Sequence, residues 1–273
     1  MCEGNQSDRA ALERFVIDNQ DFERLEGLLG EFNLFEAIGA VRQELRHSDT
    51  LRFLFDPLAP HGIGPAFLSR FLKSALAGTS GLDLGPVEVD VSDLTATQVI
   101  REWRNIDILL LNDEARFAVA IENKIGTGEH SNQLARYRET LAAEFPDHRR
   151  VHLFLTPDGD RPSDEVWIPV DYGLVADTLE GILETYATRI GPDAATLMGH
   201  YLSMLRRHIV SDSDISRLCR DIYEKHRQAL DLIFEHRPDQ VARLAAEFRR
   251  VIEGSERLEL WWTISPRHLS SSV

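Results

Sequence analysis

Residues 104–137 read RNIDILLLNDEARFAVAIENKIGTGEHSNQLARY, and this stretch decides the architecture. Residues 106–111 and 117–121 are short apolar runs separated by Asn112-Asp-Glu-Ala115, the pattern of two strands joined by a turn. Each run is apolar on both faces, which predicts central strands covered on both sides. Side chains alternate along a strand, so Glu122 and Lys124 share a face. With Asn112 to Ala115 as the turn, Leu111 pairs with Arg116. Asp107 then falls opposite Ala120, on the face of Glu122 and diagonal to it. Diagonal neighbours lie roughly 7 to 8 Å apart, a span that one hard cation bridges through carboxylate oxygens. Ala118 and Ala120 leave room beside the acids. The expectation depends on register, because a one-residue change in the turn sends Asp107 to the opposite face. A plain structural ion pair from Lys124 to Glu122 or Asp107 would use the same residues.

Upstream, residues 87–91 alternate and residues 98–103 continue with strand-like side chains, which extends the hairpin into an antiparallel meander. Downstream, helical spacing returns over 129–145. A strand is expected over 151–156, and a short edge strand over 167–170, where Pro169 cannot donate to a ladder. A hairpin followed by a helix that crosses to a further strand gives a mixed sheet with helices on its faces, an α/β protein.

The N-terminal part is helical. Ser7 or Asp8 can cap a first helix, and Asp21 a second. Asn33 precedes Leu34, Phe35, Ile38, Val41 and Leu45, which read as one amphipathic stripe with Glu44 near its end. Ser48 is the expected N-cap of a turn of helix over 51–55 that Asp56-Pro57 stops, and Gly64-Pro65 opens a helix over 66–76. Beyond Tyr172 helices are expected over 174–186, 193–210, 214–236 and 239–252, followed by a strand-like 258–264. The expected organisation is an N-terminal helical extension (1–32), a core (33–185) and a C-terminal helical region (186–273).

Composition narrows the classes. With 273 residues and 43% hydrophobic content the chain buries a sizeable core. No run approaches the roughly 18 apolar residues of a membrane span, and the first residues lack the basic and apolar regions of a signal peptide, so a cytoplasmic protein without a membrane partner is expected. Cys2 and Cys219, the only cysteines, form no disulfide framework and read as reduced thiols. The histidines His61, His148, His152 and His226 lack zinc-ligand spacing. A net charge of −15 argues against nonspecific coating of nucleic acid, because phosphates attract basic surfaces. A carboxylate metal site inside a confined basic groove stays compatible with it.

Ile106-Asp107, then Glu122-Asn-Lys124, then Gln133-x-x-x-Tyr137 resembles the PD-(D/E)xK nuclease superfamily, with Ile106 where the superfamily's name has proline. That proline supplies no ligand. The segments Asn33-Leu-Phe-Glu, Glu44-Leu-Arg-His-Ser48, Phe55-Asp-Pro57, His61-Gly-Ile-Gly64, Leu155-Thr-Pro157, Trp167-Ile168 and Asp221-Ile-Tyr-Glu-Lys-His226 look like a bacterial subgroup of that superfamily. The resemblance implies a restriction-endonuclease-like fold and a nuclease that uses Mg²⁺, with Mn²⁺ as substitute, on nucleic acid, DNA before RNA, in defence or repair. It also implies Asp107, Glu122 and the Asn123 carbonyl as metal ligands, Glu44 as a helical acid approaching the metal, and Lys124 as the catalytic lysine. Gln133 and Tyr137 would steady the site or the substrate phosphates. Arg104, Arg136 and Arg138 flank it and either grip phosphates or pair with acids such as Glu102, Glu129 or Glu139. The competing class is a noncatalytic nuclease-fold subunit or regulator, with a protein partner or a second copy of itself.

Overall fold

The alternation of apolar residues between 98 and 123 produces three adjacent strands in the computed structural model, which describes residues 2–17, 19–126, 132–210 and 214–237. In chain order the elements are helices α1 (Cys2–Ile17), α2 (Gln20–Gly30), α3 (Leu34–Ala37), α4 (Glu44–Phe55), α5 (Ala66–Leu76) and α6 (Pro86–Val91), followed by strands β1 (Gln98–Trp103), β2 (Ile106–Asn112) and β3 (Phe117–Asn123). Then come α7 (Gln133–Glu144), β4 (Arg149–Thr156), β5 (Ile168–Asp171), α8 (Tyr172–Thr185), α9 (Pro192–Met204), which runs on into a π turn (Leu205–Ile209), and α10 (Asp214–Glu235). The expected helix over 239–252 and strand over 258–264 lie outside the described residues. Contacts divide the chain into one unit spanning Asp21–Asp221 and a second containing the described parts of Met1–Gln20 and Ile222–Val273.

The first unit is built on a five-stranded mixed sheet in the order β1-β2-β3-β4-β5, antiparallel from β1 to β3 and parallel from β3 to β5. Helix α7 makes the crossover between the parallel pair β3 and β4. Strand β5, which holds Pro169, lies at the sheet edge, where the missing donor costs least. Alternation along β3 divides the interior in two. Val119 and Ile121 join Ile108, Leu110, Leu153 and the helical Leu51, Phe55, Phe67 and Leu179 in the larger core. Ala118 and Ala120 face Leu109, Phe154 and Trp167, roofed by Leu134, Tyr137 and Leu141 of α7.

Four local expectations change. Residues 87–91 belong to helix α6 and not to a strand: Pro86 starts it, and Glu88 reaches back to accept from the Gly85 N–H at 2.9 Å. Only Val89 is buried, while Val87 and Val91 face solvent, so the alternation marks one buried turn. The stripe from Asn33 to Leu45 is not one helix. Asn33 does cap α3, accepting from the Phe35 and Glu36 N–H groups, but Gly39 at φ +68° ends it after one turn. Glu44 therefore opens the next helix instead of closing the previous one, and Ser48 lies inside α4 instead of capping it. The β2–β3 turn is Asp113 to Arg116, one residue later than expected. Asn112 organises it, accepting from the Ala115 N–H at 2.7 Å, while Arg116 takes φ +49°. Register shifts by two residues, pairing Leu111 with Ala118 and Ile108 with Ile121. A two-residue shift preserves the face, and it brings Asp107 opposite Glu122 rather than diagonal to it.

Candidate active site

Strands β2 and β3 carry the acids. Asp107, the second residue of β2, accepts the Asn123 backbone N–H at 2.8 Å, which ties its carboxylate to the end of β3. Lys124 continues the ladder past β3 by donating its backbone N–H to the Leu155 carbonyl at 2.9 Å, so its side chain emerges from fixed backbone. Its ammonium lies 2.9 Å from Glu122 Oε1 and 4.0 Å from Glu44 Oε2. From α7, Gln133 Nε2 donates to the same Glu122 Oε1 at 2.8 Å and lies 2.8 Å from the Tyr137 hydroxyl, one helical turn on. Glu44, at the start of α4, accepts from the Ile125 N–H at 3.0 Å. The six side chains singled out in the sequence thus form one connected cluster.

Its electrostatics are unbalanced. Glu122 is fully buried, and its second oxygen, Oε2, has no hydrogen-bond partner among the described residues; neither has Gln133 Oε1. Burial, reinforced by the neighbouring Asp107 charge, pushes the Glu122 carboxyl up to about 8. Burial also raises the Asp107 carboxyl, against the opposing hydrogen bond from Asn123. Burial pushes the Lys124 ammonium down, but the hydrogen bond to Glu122 and the charges of Glu122, Asp107 and Glu44 outweigh it, so Lys124 holds its proton more tightly than usual.

A hard divalent cation fits this donor set. It would offset the repulsion between the two acids and use the orphaned Glu122 oxygen. Among the described residues no three His, Cys, Asp or Glu side chains form a ready cation cage. The fit is therefore to an ion that takes one or two carboxylates and keeps water or substrate oxygens, which is the habit of Mg²⁺.

Behind the acids lies a polar network that pattern reading did not find. Asn123 points to the other side of β3. Its Nδ2 donates to Ser48 Oγ at 3.0 Å and to the Glu44 carbonyl at 3.3 Å, and its Oδ1 accepts from the Tyr172 hydroxyl at 2.7 Å. The Tyr172 and Tyr201 hydroxyls adjoin, and His47 lies 3.1 Å from the Tyr201 hydroxyl and 3.0 Å from the Val41 carbonyl. Burial raises both tyrosines and lowers His47, which keeps all three neutral. The adjacency of His47 and Ser48 was the available signal; Tyr172 and Tyr201 look like ordinary core aromatics in sequence. Two of the three flanking arginines pair with acids other than those named from the sequence. Arg104 pairs with Glu144 at 2.7 Å and Arg138 with Asp164 at 2.9 Å, while Arg136 is exposed on α7.

A mixed sheet with its antiparallel hairpin and parallel crossover, flanked by helices on both faces, defines an α/β protein of the restriction-endonuclease-like class. The model of the PD-(D/E)XK nuclease superfamily matches residues 32–225, most of the chain, and the protein belongs to that superfamily. No curated protein and no solved structure matches it significantly. Among the described residues no helix is long and apolar enough to cross a membrane.

Proposed function

We infer that the protein is a Mg²⁺-dependent nuclease that hydrolyses phosphodiester bonds of DNA, with Mn²⁺ able to replace Mg²⁺. The observation that carries this reading is the fully buried Glu122, opposite Asp107 and bonded to Lys124, with one oxygen that no group among the described residues satisfies. A fold held together by that carboxylate would complete its hydrogen bonds; one that presents it to a ligand leaves an oxygen open.

Asp107, Glu122 and the Asn123 carbonyl would hold the cation, with Glu44 at its flank. A bound divalent cation supplies Lewis-acid activation of water and of a phosphoryl oxygen. Lys124 orients the attacking water and donates to the charge that develops on the phosphoryl oxygens; its tightened hold on its proton suits a donor rather than a base. Gln133 positions Glu122 by donating to Oε1, and Tyr137 steadies Gln133. These two are positioning residues.

Cleavage of single-stranded DNA, duplex DNA and RNA, with and without Mg²⁺, tests the reading. Asp107→Ala and Lys124→Ala should each abolish metal-dependent cutting while keeping the wild-type circular dichroism; unchanged cutting in both overturns the assignment. Titration calorimetry with Mg²⁺ and Mn²⁺ separates the second class of function. A protein that binds neither ion, with or without oligonucleotide, is a noncatalytic member of the superfamily.

A further inference from the structure

Two clefts share one lining residue, Arg42. The larger, of about 790 Å³, is walled by Arg42, Glu44, Arg46, Asp49, Arg101 and Gly126. The smaller, of about 320 Å³, is walled by Arg42, Ile125, Asp158, Arg207 and His208 among others. Both clefts are of the size that takes a small-molecule fragment. Arginines outnumber carboxylates in each, three against two in the first and two against one in the second. That balance is opposite in sign to the −15 of the whole chain.

The arginines are not equivalent. Arg207 is buried and held by Glu31 and Glu36. Arg101 is held by Asp49, Glu102 and the Leu45 carbonyl, and Arg46 reaches Asp49 at 3.4 Å. Arg42 is exposed and makes no hydrogen bond or ion pair to a described residue. Its backbone is nonetheless anchored on both sides. The Val41 carbonyl meets His47 Nε2 at 3.0 Å, and the Gln43 N–H donates to Ala40 at 3.1 Å. A guanidinium that no described residue engages is thus delivered from fixed backbone, two residues before the acid that faces Lys124.

We propose that Arg42 grips a backbone phosphate of the nucleic-acid strand where it passes between these clefts toward Lys124. The proposal rests on the nuclease reading and adds to it the point at which an acidic protein holds a polyanion. A guanidinium suits the task because its planar donors match two phosphate oxygens, and local positive charge draws in a substrate that the rest of the surface repels. The contact is made equally to bound substrate and transition state, so Arg42 governs KM and salt dependence more than kcat.

The test measures anisotropy of fluorescein-labelled single-stranded and duplex oligonucleotides across a salt series with Ca²⁺, a larger hard cation, alongside Mg²⁺-dependent cleavage. Arg42→Ala should weaken binding about tenfold, as loss of a charge-assisted hydrogen bond does. It should also make the slope of log K against log salt shallower by roughly 0.7 to 0.9. Arg42→Glu should do more, Arg42→Lys should recover part of the affinity, and KM should rise at nearly constant kcat. Lys73→Glu, an equal charge change on α5 beside Asp90, should leave KM and slope near wild type. Wild-type binding and cutting with an unchanged slope and KM in Arg42→Glu overturns the proposal alone. So does an equal loss in Lys73→Glu, which marks a general charge effect. A wild type that neither binds nor cuts any of the probes overturns the nuclease reading and this proposal with it.

Discussion

Glu122 and Asn123 are consecutive, both wholly buried, and opposite in how well they are satisfied. Asn123 spends its side-chain amide on Ser48, the Glu44 carbonyl and Tyr172, inside a network that reaches His47. Glu122, on the other face of the same strand, shares one oxygen between Lys124 and Gln133 and leaves the other unpartnered among the described residues. Completed hydrogen bonding marks a group that holds the fold; incomplete bonding at a buried charge marks a group kept for a ligand. The two-residue period of one strand thus puts a satisfied polar group and an under-satisfied acid on opposite faces.

The largest effect that sharpens this contrast is on catalysis. Glu122→Gln keeps size and removes charge, and cleavage should fall by about 10²-fold or more, as when a preorganised electrostatic group is lost. Near-normal rates in a steady-state assay would remove Glu122 from the site. The next effect is on stability. Asn123→Leu removes the acceptor of the Tyr172 hydroxyl and the amide that Ser48 accepts from, and should cost about 2–3 kcal/mol in urea unfolding, whereas Glu122→Gln should cost the metal-free protein little or stabilise it. Equal destabilisation by the two variants breaks the comparison.

A third prediction concerns pH. The Glu122 carboxyl is raised from 4.5 to about 8 in the folded, metal-free protein, so between those values the folded state holds a proton that the unfolded state has released. Stability should therefore fall as pH rises from about 4.5 to 8. Thermal melts in EDTA should show that slope, and Glu122→Gln should flatten it. The smallest effect belongs to His152, buried against Trp167 on the same face as Glu122. Burial lowers it to about 4, so its neutral form stabilises the fold above 6.5, and that stability is lost as pH falls from 6.5 toward 4. His152→Gln should blunt the acid limb of the melting profile; an unaltered limb assigns that loss to other groups.

Much of this contrast is legible in the chain. Apolar runs on either side of a polar turn identify β2 and β3, and alternation places Glu122 with Ala118 and Ala120. The turn was displaced by one residue because Asn112 ends the strand with its backbone while shaping the turn with its side chain. The shared face of Asp107 and Glu122 outlasts that error because the register moved by two. Helix boundaries were harder to read. Residues 87–91 alternate like a strand, and the stop is a left-handed Gly39 inside an apparently continuous stripe, so local pattern supports the wrong element in both places.

By itself the sequence determined the central hairpin, the crossover helix and the edge position of Pro169, and it named the residues proposed to carry metal-dependent chemistry, since these depend on local periodicity and residue type. Only the tertiary structure decided that Glu44 begins a helix facing Lys124, that Asn123 is bolted to Ser48 and Tyr172, and that Arg42 lines two clefts. It also decided that Glu122 Oε2 has no partner among the described residues. Those facts join residues far apart in the chain, 81 positions in the case of Glu44 and Ile125. Whether a buried polar atom is satisfied depends on everything packed around it, which no window of sequence contains.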